Sequence, residues 1–134
     1  MNPKFGIMGA GAIGGYLGVR LSAAGYRVTM IGRPSLIARK NTMSATNLDG
    51  HTVSPGQGFV VSTNPQDLAD VDICLLTVKG RSTTEAAQTL AKVLRPNIPV
   101  VSFQNGIQNV ARIEAELSQP VFGGMVTFNV VGQD

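Results

Sequence analysis

The residues best suited to chemistry are three glycines, an arginine, a lysine and an asparagine. Gly9, Gly11 and Gly14 stand at the spacing G-x-G-x-x-G within Gly9-Ala10-Gly11-Ala12-Ile13-Gly14-Gly15, directly after the run Phe5-Gly6-Ile7-Met8. A strand that ends in such a turn and continues as a helix can carry a diphosphate. Gly9 permits the turn, Gly11 leaves the backbone bare enough for close approach, and Gly14 lets helix and strand pack tightly. The ligand's charge then rests on the helix N-terminus, where unpaired N–H groups and the positive end of the helix dipole meet. Glycine-rich turns also arise for conformational reasons alone. Here the preceding strand-like run, and Ile13, Leu17 and Leu21 at i, i+4 and i+8 after it, favour the nucleotide.

Arg33 is the second candidate. Tyr26-Arg27-Val28-Thr29-Met30-Ile31 reads as the second strand, and its exit, Gly32-Arg33-Pro34, holds no carboxylate. NAD-binding domains of this type use an acidic residue about 20 positions past the glycines to bind the ribose 2′-hydroxyl. A guanidinium there grips a 2′-phosphate, which a carboxylate would repel. The expectation is therefore NADP(H) rather than NAD(H), against the plainer reading of a solvated loop arginine. Lys79 follows the apolar run 71–78, and Asn105 lies in Gln104-Asn105-Gly106 after the run 99–103. A lysine just before a helix start is unfavourable unless an anion or carbonyl shares the site; its plain reading is a solvated helix-start residue. An asparagine at a strand exit can donate to and accept from a nicotinamide amide or a ribose.

These residues need elements to carry them. A first helix is expected over residues 12–24, stopped by Gly25 in the left-handed conformation. A short helix starts at Pro34-Ser35, and Asp49-Gly50 signals a hairpin within a β excursion at about 43–61 that closes on Phe59-Val60-Val61. Asn64-Pro65 caps a very short helix, and the run 71–78 reads as a strand covered on both faces. Ser82-Thr83-Thr84-Glu85 carries the S-x-x-E capping pattern, opening a helix with Ala86, Leu90 and Leu94 on one side and Pro96 beyond its end. A strand at 99–103, a helix capped by Asn109 with Val110, Ile113 and Leu117, and a last strand at 121–131 complete the pattern; Gly123-Gly124 there permits a bend or a close backbone approach. Alternating strands and helices imply an α/β fold of the Rossmann type, a doubly wound, mainly parallel sheet, with ligands outside the carboxyl ends of the strands.

Composition narrows the classes. A chain of 134 residues is about one domain, and its net charge of +3, from 11 Lys and Arg against 8 Asp and Glu, is scattered rather than striped. Nucleic-acid binding is not expected. Cys74, the lone cysteine, lies in an apolar run and reads as a buried hydrophobe; His51, the lone histidine, lies beside the Asp49-Gly50 turn, so no metal site or Ser/His/Asp triad is expected. With no signal-like start and no apolar run near the ~20 residues of a membrane span, a cytoplasmic protein is the default expectation.

Taken together, the glycine motif, Arg33, Thr77-Val78-Lys79, Gln104-Asn105-Gly106 and the closing Phe122-Gly123-Gly124-Met125-Val126-Thr127-Phe128-Asn129 resemble the N-terminal domain of the ketopantoate reductase (2-dehydropantoate 2-reductase) family across essentially the whole chain. The resemblance implies reduction of 2-dehydropantoate to pantoate with NADPH, on the route to pantothenate. It places cofactor roles on Gly9, Ala10, Gly11, Ala12, Ile13, Gly14 and Arg33, and roles near the ribose, nicotinamide and reacting carbonyl on Lys79 and Asn105. Backbone contacts around Asn129 and Val130 are implied as well. Members continue into a mostly helical domain that supplies the main catalytic lysine, a glutamate and most substrate contacts. The chain ends at Asp134, so residues 1–134 are expected to be the NADP-binding domain, with little turnover alone. A small-molecule keto acid is the expected partner, and apolar surface facing the second domain gives a route to a homodimer. Two other readings are a dinucleotide-sensing regulatory domain, which Arg33 disfavours, and another dehydrogenase acting on hydroxy acids or opines.

Overall fold

A computed structural model describes residues 2–9, 11–103 and 108–124. Strand β1 (Lys4–Met8) leads into helix α1 (Ala12–Ala23), β2 (Arg27–Ile31) and the short α2 (Pro34–Arg39), which tightens into a 3₁₀ turn at Lys40–Thr42. The hairpin β3 (Ala45–Thr46) and β4 (Thr52–Val53) follows, then β5 (Phe59–Ser62) and a 3₁₀ turn at Pro65–Leu68. The second half holds β6 (Ile73–Leu76), a 3₁₀ turn at Gly80–Ser82, α3 (Thr83–Val93), β7 (Val100–Ser102), α4 (Gln108–Glu114) and β8 (Val121–Gly123).

Six strands form one sheet in the order β5-β2-β1-β6-β7-β8, every pairing parallel. β3 and β4 make a separate antiparallel pair, Ala45 opposite Val53 and Thr46 opposite Thr52. This is the expected α/β architecture with its small β excursion. Chain order reverses between β1 and β6, so the loops leaving those strands flank the crevice where such sheets bind ligands.

Alternation along the strands builds two cores. β6 sends Cys74 and Leu76 toward Leu90, Leu94 and Ile113, while Leu75 joins Ile7, Val28, Met30 and Phe59 on the opposite face. A parallel strand covered on both sides reads as a continuous apolar run for this reason. Burial pushes the Cys74 thiol up to about 12, because the thiolate would sit in apolar surroundings.

Several local expectations change. Ile13, Leu17 and Leu21 are half-buried on α1, Leu17 and Leu21 packing on the core beside a more deeply buried line of Gly14, Gly18, Val19 and Ser22. A Cβ on Gly18 would collide with the Met30 side chain, so glycine lets the helix lie closer to the sheet than a leucine face would allow. The Ser82–Glu85 capping box does not form. Ser82 ends a 3₁₀ turn at φ −99° and ψ 3°, outside the extended geometry of a cap, and its side chain makes no cap hydrogen bond. Asn109 lies inside α4 rather than before it, and Leu117 lies past the helix end while still packing on the core. Asn64 does cap its turn, accepting from the Gln66 amide at 3.1 Å, and Gly25 takes the expected left-handed conformation with φ +102°. The last strand is described as Val121–Gly123, with Gly124 past its end; residues 125–131 lie outside the described residues.

Candidate functional site

The glycine loop is held from both sides of the reversal. Gly9 bends the chain at φ +100°, and its amide donates to the Ile31 carbonyl of β2 at 3.2 Å. Its carbonyl accepts a hydrogen bond from the Thr77 hydroxyl at the end of β6, and the Thr77 amide donates to the Met8 carbonyl at 2.9 Å. A Cβ on Gly9 would come 2.6 Å from Val78 Cγ1 and 2.8 Å from the Val78 nitrogen. One on Gly14 would strike the Gly9 carbonyl oxygen and lie 2.5 Å from Thr77 Oγ1. Gly11 differs: it is exposed, and a Cβ there meets nothing within 4 Å. Two glycines therefore satisfy the fold, and the third faces open space where a ligand backbone can approach.

Gly11 is also the N-cap of α1, with no side-chain cap and no acidic residue in the first turn. The Gly15 amide closes the first helical bond to the Gly11 carbonyl at 2.8 Å. The leading amides of such a helix have no intrahelical acceptor and carry positive dipole charge. Ala12 is exposed and Ile13 half-buried in that turn; Ala10 lies outside the described residues.

One strand away, the Gly32 amide donates to the Ser62 carbonyl at 3.0 Å and sets the exit of β2. Arg33 follows as the N-cap of α2, its carbonyl accepting from the Leu36 amide at 2.9 Å and its side chain exposed. No acidic residue stands in the first turn of α2, so its field is positive where an NAD-type domain would place a carboxylate.

Lys79 is exposed and precedes the Gly80–Ser82 turn, its carbonyl accepting from the Ser82 amide at 2.8 Å. The turn is braced by Arg112 of α4, which donates to the Gly80 carbonyl at 3.1 Å. The Phe103 amide donates to the Leu76 carbonyl at 3.0 Å, bringing the exit of β7 beside that of β6. Asn105 follows two residues later, outside the described residues. Gly9, Gly11, Gly14, Arg33 and Lys79 thus share one sheet edge. Thr77 and Arg112 were not among the candidate site residues. The contact that gives each its place joins distant segments, so no local pattern marks either.

A depression of about 590 Å³ lies at the other end of the strands, lined by Asn2, Pro3, Arg27, Ala69, Asp70, Asp72 and Arg95. Its charges are largely paired: Lys4 Nζ sits 2.8 Å from Asp70, and Asp72 accepts from the Lys4 amide at 2.8 Å and from Arg95 at 3.2 Å. The hydrogen bond from the Lys4 side chain lowers the Asp70 pKa, and the Lys4 amide lowers that of Asp72. This cluster ties β1 to β6 rather than facing the crevice. Among the described residues no group of three or more His, Cys, Asp or Glu could hold a metal, and no helix is long and apolar enough to cross a membrane.

A glycine loop pinned at a sheet reversal is common to many dehydrogenase-type domains, and comparison with known proteins separates them. The family model described as ketopantoate reductase PanE/ApbA matches residues 5–134. This chain belongs to the ketopantoate reductase family. The family and the fold together imply a nicotinamide dinucleotide cofactor, and the open backbone at Gly11 beside the α1 N-terminus fits its diphosphate. Among curated relatives, the 2-dehydropantoate 2-reductase of Pyrococcus horikoshii is 34% identical over 131 residues, covering 96% of this chain and 41% of its own length. That of Archaeoglobus fulgidus is 33% identical over 123 residues, covering 91% and 38%. Among solved structures, a PanE/ApbA family ketopantoate reductase from Ralstonia eutropha is 30% identical with a TM-score of 0.78, covering 90% of this chain and 40% of that one. The chain spans about two fifths of the length of these ketopantoate reductases.

Proposed function

We propose that the chain is the NADPH-binding domain of an oxidoreductase that reduces a 2-keto acid, 2-dehydropantoate, to pantoate. The observation that carries the cofactor choice is Arg33: an exposed guanidinium at the β2 exit, with no acidic residue in the helix turn that follows. Family membership supports the substrate class.

In this reading the backbone from Gly9 to Gly14, including Ala10, Ala12 and Ile13, holds the diphosphate at the α1 N-terminus. Arg33 grips the 2′-phosphate with charge-assisted hydrogen bonds, which a neutral ribose hydroxyl cannot match. When bound, the reduced nicotinamide supplies the hydride. Lys79 contributes positive charge beside the ribose and the reacting carbonyl, where charge develops during reduction. Asn105 orients the nicotinamide amide. The proton for the product hydroxyl and the anchor for the substrate carboxylate are assigned to a second, helical domain, as the family resemblance implies. Positioning and acid catalysis of that kind account for much of a reductase's rate, so the present residues alone should turn over little. A cytoplasmic location and a homodimer complete the proposal, the latter checked by light scattering at several concentrations.

The test is a fluorescence titration with NADPH and NADH. Tighter binding of NADPH supports the reading, and equal binding of the two, or none, overturns it.

A further inference from the structure

We propose that Thr77 is a positioning residue for the diphosphate cradle, its hydroxyl locking the first turn of the glycine loop through the Gly9 carbonyl. This rests on the nucleotide reading above and adds to it the group that holds the loop in shape.

Gly9 sits between two strands that both grip it. Its amide is taken by Ile31 of β2, and its carbonyl is turned toward β6, where the Thr77 hydroxyl meets it across 68 residues of sequence. A peptide unit is planar, so fixing that carbonyl fixes the plane in which the chain enters the loop. The spot is crowded: a Cβ on Gly14 would strike the same carbonyl and lie 2.5 Å from the Thr77 oxygen. Carbonyl, hydroxyl and the α1 start therefore set one another's positions. The strand pairing does not need this hydroxyl, because the Thr77 amide already bonds to Met8 at 2.9 Å. What the hydroxyl adds is a donor for a half-buried carbonyl that a methyl group would leave unpaired and push away.

The test compares Thr77→Ser, which keeps the hydroxyl, with Thr77→Val, which keeps the shape. Each is titrated with NADPH, NADH and 2′-AMP, the last carrying the ribose phosphate without a diphosphate. Losing one hydrogen bond and leaving a carbonyl unpaired corresponds to about a tenfold change in affinity. Thr77→Val is expected to weaken NADPH and NADH by that same factor and leave 2′-AMP unchanged, with Thr77→Ser close to wild type. Thr77→Val binding NADPH like wild type, Thr77→Ser losing as much as Thr77→Val, or 2′-AMP weakening in parallel would each overturn the proposal. Failure of the wild-type chain to bind NADPH would instead overturn the nucleotide reading on which it rests.

Discussion

Replacing Arg33 with alanine should weaken NADPH without disturbing the fold. Its backbone does structural work that alanine can repeat: φ −77° and ψ 162° are open to any L-residue, and the carbonyl, not the side chain, accepts from Leu36. The side chain makes no cap hydrogen bond, so thermal stability should shift by no more than the ~0.5 kcal/mol usual for surface changes. Charge-assisted hydrogen bonds to a phosphate contribute ~1.5–3 kcal/mol, which is roughly 10–150-fold in Kd. The exposure of the guanidinium places the loss toward the lower end, since solvent and salt screen it. Raising ionic strength should therefore shrink the gap between wild type and variant. Nucleotide fluorescence titrations at two salt concentrations measure this, with NADH as the internal control, expected to change less than about twofold. Equal losses for NADPH and NADH would refute a 2′-phosphate role.

Gly11→Ala and Gly14→Ala should separate binding from folding. At Gly11 the new methyl meets no protein atom, so stability should fall by ~1 kcal/mol or less while NADPH binding is strongly reduced; unchanged binding would contradict close approach there. At Gly14 the methyl meets the Gly9 carbonyl and Thr77, so stability should also drop, by about 1–3 kcal/mol in a urea titration. Cys74, with its thiol at about 12, should resist thiol reagents in the native state at pH 8 and react only on unfolding; rapid native labelling would contradict its burial. Asp70 and Asp72 have folded pKa values below 3.8, so the folded state binds fewer protons than the unfolded state. Their contribution is complete above that value and lost as pH falls through the folded pKa. Denaturation midpoints between about pH 2 and 5 should fall less steeply in Asp70→Asn/Asp72→Asn than in wild type, and parallel curves would exclude the pair.

What was legible in the sequence came from residues whose role is conformational or electrostatic by type. Gly9 and Gly25 mark positive φ, and Arg33 declares the sign of charge at the β2 exit. The two-sided burial of β6 shows as an unbroken apolar run, although the strand itself is only Ile73–Leu76. The most buried line of α1 has no pattern in the sequence because it runs through Gly14 and Gly18, which carry no hydrophobic signal; closeness to the Gly9 carbonyl selects the first and closeness to Met30 the second. Ser82–Glu85 matched a capping pattern, but the chain was already turning at Gly80–Ser82, so the side chain lacked the extended backbone that capping needs. The Thr77–Gly9 and Arg112–Gly80 bonds join distant segments and have no local pattern at all.

The most direct measurement is a crystal structure of the chain with bound NADPH. The account predicts the diphosphate over Gly9–Gly14 at the start of α1, with the 2′-phosphate held by the Arg33 guanidinium. A nucleotide bound elsewhere, or Arg33 turned away from it into solvent, would contradict it.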